Sequence, residues 1–105
     1  MVYFMCYMVD KQGAISARVS ARPAHLARAK QFIEQGVFPF GGAVLTQQPG
    51  TQLPDGNPPI IGSVIVVDAE SKEKVLEILE NDPYKDVWDF NRSQINYFVP
   101  AIPMK

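Results

Sequence analysis

The sequence has little of what several large classes of protein require. It contains one cysteine, Cys6, and one histidine, His25, in 105 residues. A single cysteine cannot form a disulfide within the chain, and one cysteine with one histidine falls short of the roughly three or four ligands of a zinc site. We therefore expect no bound metal. Because Cys6 lies in an apolar stretch, it is predicted to be a small buried hydrophobic residue.

The sequence also lacks a large excess of positive or negative charge, and it lacks long apolar runs. The formal net charge is −1, which gives no reason to expect nucleic acid as a partner. No stretch approaches the roughly 20 apolar residues of a membrane span. The apolar start lacks a basic region and ends at Asp10, unlike a secretory signal. We expect residues 1–105 to form a single domain of a cytoplasmic protein without membrane contact.

What is present is a regular alternation of strand-like and helix-like segments. Segments dense in β-branched and aromatic residues predict four strands, at Val2–Val9, Val37–Leu45, Ile60–Val67 and Gln94–Val99. Pro23 suits the first position of a helix and Gly36 supplies its stop, which predicts a helix over Pro23–Gln35. Ser71 is a fair N-cap for a second helix that ends near Asn81.

The segments between these elements are predicted to be loops. Asp10–Ala21 contains Gly13 and several small polar residues, and Thr46–Pro59 is rich in proline, with a length typical of lids and binding segments. Gly41 and Gly42 indicate a bulge or a close backbone approach in the second strand. The resulting order, β-α-β-β-α-β, predicts a ferredoxin-like α+β fold with a four-stranded antiparallel sheet.

The strands also predict a homodimer. A sheet with one solvated face alternates apolar and polar residues, but in the first strand Tyr3, Met5 and Tyr7 alternate with Phe4 and other apolar side chains. Two helices can cover only one of these apolar faces, and an exposed apolar face is typical of an interface. We expect a second copy to cover it about a two-fold axis; the alternative is that the protein's own long loop does so.

His25 is the first candidate for chemistry. If Pro23 opened the helix, His25 would lie in its first turn, where the helix dipole favours the neutral imidazole that can accept a proton. Arg22, His25 and Arg28 follow one another along one side of a helix, so two guanidinium groups could hold a carboxylate or phenolate beside a base. The alternative is that the three residues are a solvated face.

Asp82-Pro83-Tyr84 is the second candidate. Asp is a good N-cap and Pro a good first helical residue, so the triplet could simply begin a helical turn. In the functional interpretation, Asp82 orients His25, as carboxylates do in acid–base pairs, and the hydroxyl of Tyr84 contacts a ligand. No glycine-rich nucleotide motif and no serine-hydrolase motif is found, and we expect no cofactor.

Taken together, these residues make the chain resemble the YCII-related (YciI-like) family. The resemblance rests on Arg18, on Arg22-Pro-Ala-His25-Leu-Ala-Arg28, on the glycine-bearing second strand, on Gly62-Ser63 and on Asp82-Pro83-Tyr84. It implies a ferredoxin-like fold, usually as a dimeric α+β barrel related to muconolactone isomerases. Some family members are similar to dehydrochlorinating lyases of aromatic degradation.

The resemblance also implies an active site around a histidine and an aspartate. His25 matches the histidine; Asp82 is the better match for the carboxylate, and Asp10 is the second choice. We therefore predict a cofactor-free lyase or isomerase that moves a proton on a small cyclic or aromatic acid. Arg22 is the expected cation for a developing oxyanion, and further ligand contacts are expected from Arg18, Ser63, Tyr84 and Asp10. The alternatives are a ligand-binding or accessory protein without chemistry, and an interaction module without a pocket.

Overall fold

The structure is a computed structural model, and it describes residues 2–103. In chain order these residues form β1 (Val2–Asp10), α1 (Ile15–Glu34), β2 (Phe40–Leu45), β3 (Ile60–Ala69), α2 (Lys72–Glu80) and β4 (Trp88–Phe98). The strands make one antiparallel sheet in the order β2-β3-β1-β4. This arrangement confirms the predicted ferredoxin-like α+β fold.

The sheet has one face covered by helices. Alternate residues of β1, Phe4, Cys6 and Met8, point to that face and are almost completely buried. Each lies opposite a residue of β3 in the same layer, and together with α2 and Trp88 they form the core. Burial raises the pKa of the Cys6 thiol to about 12, so Cys6 is the buried apolar residue that its surroundings predicted.

The start of the first helix was predicted wrongly. α1 begins at Ile15, and Pro23 lies inside it; Asp10–Ala21 is therefore mostly strand end and helix. A proline inside a helix removes one backbone hydrogen bond. Here the part of α1 before Pro23 is held by a side-chain contact with the sheet. The guanidinium of Arg18 donates to the carbonyl oxygen of Gly62 at 2.9 Å and is buried against β3. His25 consequently lies in the middle of α1, and the argument from the helix dipole fails.

Other boundaries moved for local reasons. β2 begins at Phe40 instead of Val37, because the amides of Val37 and Phe38 both donate to the carbonyl of Phe32 at the end of α1. β4 begins at Trp88, well before Gln94, and shifts register opposite Tyr7 and Val9 of β1. Because the first residues of β4 include several polar ones, the sequence pattern did not identify them as part of a strand.

The glycine and cap predictions fared better. Gly36 has a φ of +77° just after α1, as a helix stop requires. Ser71 caps α2 by accepting from the amide of Lys74 at 3.2 Å. The bulge in β2 lies between Val44 and Leu45 and not at the glycines, but a Cβ on Gly41 would come within 3.0 Å of a β3 carbonyl oxygen. Residues 46–59 contain no helix or strand.

The second face of the sheet carries neither of the two helices that residues 2–103 form. Met5 is 37% exposed and Phe40 is 52% exposed; both line a cleft of about 370 Å³ with Val64, Val66, Phe98 and the C-terminal Ile102 and Pro103. The β4 side of this face is polar, with Gln94 and Asn96 opposite residues of β1. We call this surface the open face. Within the described range, neither helix is both long and apolar enough to cross a bilayer.

Candidate active site

His25 and Asp82 are in direct contact although they are far apart in the sequence. The Nδ1 atom of His25 lies 2.7 Å from Oδ1 of Asp82, and the side chains are 14% and 1% exposed. Because a carboxylate only accepts hydrogen bonds, Nδ1 is the donor, and in the neutral form of the imidazole Nε2 has a free lone pair. His25 lines a cavity and Asp82 does not, so Nε2 is the nitrogen left for a ligand.

The Asp82 carboxylate is held by two further contacts, and one of its partners is itself anchored. Its Oδ1 accepts from the backbone amide of Tyr84 at 2.8 Å, which is the capping role that the Asp-Pro-Tyr triplet predicted. Its Oδ2 accepts from Nη1 of Arg28 at 3.3 Å, and Nη2 of Arg28 donates to the carbonyl of Ile78 at 2.9 Å. One carboxylate therefore both caps the turn and contacts the imidazole of His25. Arg28 serves the carboxylate instead of flanking the imidazole on the ligand side.

Aromatic rings fix the plane of the His25 imidazole. Tyr84 stacks on it with ring centroids 3.9 Å apart and planes inclined by 15°. Trp88 meets it edge-on at 6.3 Å and 87°. The stacking contact with Tyr84 and the perpendicular contact with Trp88, which also meets Tyr84 at 5.6 Å, together leave the His25 ring little rotational freedom. The contribution of Trp88 had no signal in the sequence, because it depends on where β4 begins.

A second polar cluster lies nearer the N-terminal end of α1, around Arg18. Arg18 is 3% exposed, and its Nη1 and Nη2 both donate to Oγ of Ser63, Nη1 at 3.3 Å. Its Nε lies 3.3 Å from Oδ2 of Asp10. The guanidinium carbon lies 4.6 Å from the centre of the Tyr84 ring, so Tyr84 contacts both clusters.

Burial sets the acidity of two groups here. It raises the pKa of the Asp10 carboxyl, and the nearby Arg18 only partly opposes this. Neither oxygen of Asp10 has a hydrogen-bond partner among residues 2–103, which leaves the charged form poorly solvated. Burial likewise raises the pKa of the Tyr84 phenol, against the attraction of Arg18 and Arg22 and with the repulsion of Asp82 and Asp10.

A cavity of about 520 Å³ opens between α1 and the sheet. Its polar lining consists of five of the predicted site residues: Arg18, Arg22, His25, Ser63 and Tyr84. Arg22 is exposed at its edge, whereas Arg18 is buried. Asp82 and Asp10 support lining residues from behind, Asp82 at His25 and Asp10 at Arg18.

The sequence interpretation missed the apolar part of this cavity. Leu26 and Ile33 recur at helical spacing, but they are 47% and 59% exposed and line the cavity, as do Phe38, Gly41 and Ile65. Helical spacing identifies a shared face of a helix. It cannot tell whether that face meets packed side chains or open space.

The chain is similar to several known proteins. A family model described as "YCII-related domain" matches residues 2–89. "Derivative of benzaldehyde biosynthesis cluster protein C" of Emericella nidulans is 40% identical over 70 residues, which is 67% of this chain and 69% of the relative. "Protein YciI" of Escherichia coli O6:H1 is 31% identical over 84 residues, which is 77% of this chain and 80% of the relative.

A solved structure is also similar. It is the 5-chloro-2-hydroxyhydroquinone dehydrochlorinase (TftG) from Burkholderia phenoliruptrix AC1100 in complex with 2,5-dihydroxybenzoquinone. The TM-score is 0.74 at 25% sequence identity, and the match covers 92% of this chain and 93% of that chain. The family match confirms the resemblance inferred from the sequence motifs. The chain belongs to the YCII-related domain family.

Proposed function

We propose that the protein is a cofactor-independent enzyme that moves a proton on a small cyclic or aromatic acid. The observation that carries this proposal is the contact of 2.7 Å between His25 and Asp82 at the wall of a cavity lined by two arginines. An imidazole with one nitrogen held by a carboxylate and the other directed at a ligand is the usual arrangement of a general base.

In the proposed reaction, Nε2 of His25 takes a proton from a C–H or O–H group of the substrate. Asp82 stabilises the imidazolium that results. In an elimination, the electron pair left on the substrate expels a leaving group and the imidazolium gives its proton to solvent; in an isomerisation, the imidazolium returns the proton to another atom of the substrate. Arg22, and Arg18 behind it, would stabilise the developing oxyanion. The structural neighbour named as a dehydrochlorinase, bound to a dihydroxyquinone, and the relative named for benzaldehyde-derivative biosynthesis support this reaction class.

The test is turnover of a panel of chlorinated and hydroxylated quinols and aromatic acids, followed by chloride release and ultraviolet absorbance. We expect His25→Ala to lose about 10²–10⁴-fold in kcat while its circular dichroism and melting curve remain those of a folded protein. Full activity in this variant would refute the proposal. Binding of several compounds with turnover of none would favour a ligand-binding protein of the same fold instead.

We further propose that the protein is a homodimer joined through the open face. Its apolar centre, with Met5 and Val64 flanking the cleft of about 370 Å³, supports a partner there because exposed apolar patches are typical of interfaces. Native mass spectrometry should record a dimer for the wild type and a monomer for Val64→Asp. Gln94→Asp, on the polar β4 side of the same face, is the matched control and should remain dimeric; a monomeric wild type contradicts the proposal.

A further inference from the structure

The cavity beside α1 is divided into a polar and an apolar half along the helix axis. Arg18, Arg22 and His25 line it from the first turns to the middle of α1, with Val19 as the one apolar lining residue of the helix there, and Leu26, Ala29 and Ile33 line it from the middle towards the C-terminal end. From His25 to Ile33 the helix advances about 12 Å at 1.5 Å per residue. The residues of the proposed reaction all lie in the polar half. The apolar half has no role in that reaction.

The cavity as a whole is larger than a single aromatic ring needs. A cavity of about 150 Å³ suffices for benzene, and the whole cavity measures about 520 Å³. A ring seated against His25 would therefore leave well over half of the space unfilled. Apolar space of this kind, continuous with a polar site, is suited to an apolar part of the same ligand.

Large apolar side chains that line the apolar half are also exposed to solvent. Leu26 and Ile33 are 47% and 59% exposed on the side of α1 that faces the cavity, next to the almost fully buried Ala29. Opposite them, Gly41 contributes no side chain, and a Cβ added there would lie within 4 Å of Ile65. The wall is thus apolar and open where packed side chains would otherwise fill it.

We infer that the ligand is amphiphilic, with an anionic aromatic or cyclic head in the polar half and an alkyl chain or second apolar ring in the apolar half. The head binds near Arg18, Arg22 and His25. The tail lies along Leu26, Ala29 and Ile33 and covers the exposed apolar wall. This inference rests on the proposed function only for the position of the head, because the tail site requires no catalysis.

The test is the binding of 2-hydroxybenzoate and its 6-alkyl homologues, from methyl to octyl, measured by isothermal titration calorimetry. A buried methylene strengthens binding by about two- to fourfold when burial is partial to complete. We therefore expect the pentyl compound to bind at least about tenfold more tightly than the methyl compound. The same ratio is expected in His25→Ala, so a failure of the catalytic proposal does not affect this result.

Two variants locate the tail. Leu26→Gln and Ile33→Gln, both at exposed positions, should each lower the pentyl-to-methyl ratio to about a third or less of the wild-type value. Ala27→Gln, which adds the same side chain to an exposed position of α1 outside the cavity, is the matched control and should keep the ratio. Melting curves of all three variants verify that they fold.

Three results would overturn the inference. The first is wild-type affinity that does not change with chain length, which would mean that the apolar half is closed or is covered by another part of the protein. The second is chain-length dependence that persists unchanged in both Leu26→Gln and Ile33→Gln. The third is a failure of every homologue to bind. If chain length has no effect while the quinols of the turnover panel still react, the proposed function stands and only this inference falls.

Discussion

Two buried carboxylates contact side chains of the same helix, but they differ in the number of hydrogen bonds that they accept. Asp82 contacts the imidazole of His25, the guanidinium of Arg28 and the amide of Tyr84. Asp10 has an ion pair with Arg18 at 3.3 Å, and neither of its oxygens has a hydrogen-bond partner in residues 2–103. Asp82 is therefore part of a hydrogen-bond network. Asp10 is buried without hydrogen bonds that would replace its solvation by water.

The difference separates a group suited to chemistry from one suited to positioning. Asp82 is bonded to an imidazole, which can gain a proton during a reaction, so it can stabilise that charge as it appears. Asp10 is paired with an arginine, which is charged at every working pH, and it can only help to hold Arg18 against Ser63. Three measurements test this comparison, beginning with the largest expected effect.

Catalytic turnover should distinguish the two carboxylates most strongly. We expect Asp82→Asn to lower kcat by about 10²–10⁴-fold, because a carboxamide can donate to Nδ1 of His25 and move the proton to Nε2. Asp10→Asn should stay within about tenfold of the wild type, since Asp10 does not line the cavity. The panel described for His25→Ala serves as the assay. Equal losses in the two variants would remove the distinction between the carboxylates.

Stability should distinguish them next. Asp82→Ala leaves the charged Arg28 and the imidazole of His25 without their partner, and we expect it to lower the free energy of unfolding by about 3 kcal/mol. Asp10→Asn, which replaces a poorly solvated carboxylate by a neutral group of the same shape, should remain within about 1 kcal/mol of the wild type. Urea denaturation measures both. A loss for Asp10→Asn as large as that for Asp82→Ala would contradict the account.

The pH dependence of stability is the smallest effect and the most specific one. Because burial raises the pKa of Asp10 in the folded protein, the folded state binds this proton more tightly than the unfolded state. The contribution of Asp10 to stability is therefore most favourable below its unfolded pKa and declines as the pH rises through the raised folded pKa. Relative to Asp10→Asn, the wild type should lose stability from acid to neutral pH. A relative gain over that range would show that Arg18 outweighs burial.

The sequence predicted the order of elements because strands and helices have different hydrophobic periods, and that signal is local. The pairing of His25 with Asp82 was implied by the family resemblance, with Asp10 as the second choice, and not by any local pattern. The prediction of where α1 begins was wrong. The residues around Pro23 look the same whether the proline starts a helix or lies inside one that tertiary contacts stabilise. The anchor, Arg18 bonded to Gly62, depends on strand packing and leaves no local pattern.

The partners of the charged residues were equally hidden. Arg28 has the spacing of a ligand-binding residue, yet it contacts Asp82 and the end of α2. The half-empty apolar wall at Leu26 and Ile33 had the spacing of a core stripe. In each case the sequence identifies a face of the helix, and only the fold determines what lies opposite.

The central claim is that Nε2 of His25, backed by Asp82, moves a proton of a bound ligand. The most direct measurement is deuterium exchange at the ring C–H positions of 2,5-dihydroxybenzoquinone in D₂O, followed by proton NMR with and without the protein. The account predicts exchange that the wild type accelerates, that His25→Ala abolishes and that Asp82→Asn strongly reduces, with Ala27→Gln behaving as the wild type. Exchange at the same accelerated rate in His25→Ala, or no acceleration by the wild type when binding of the quinone is saturated, would contradict it.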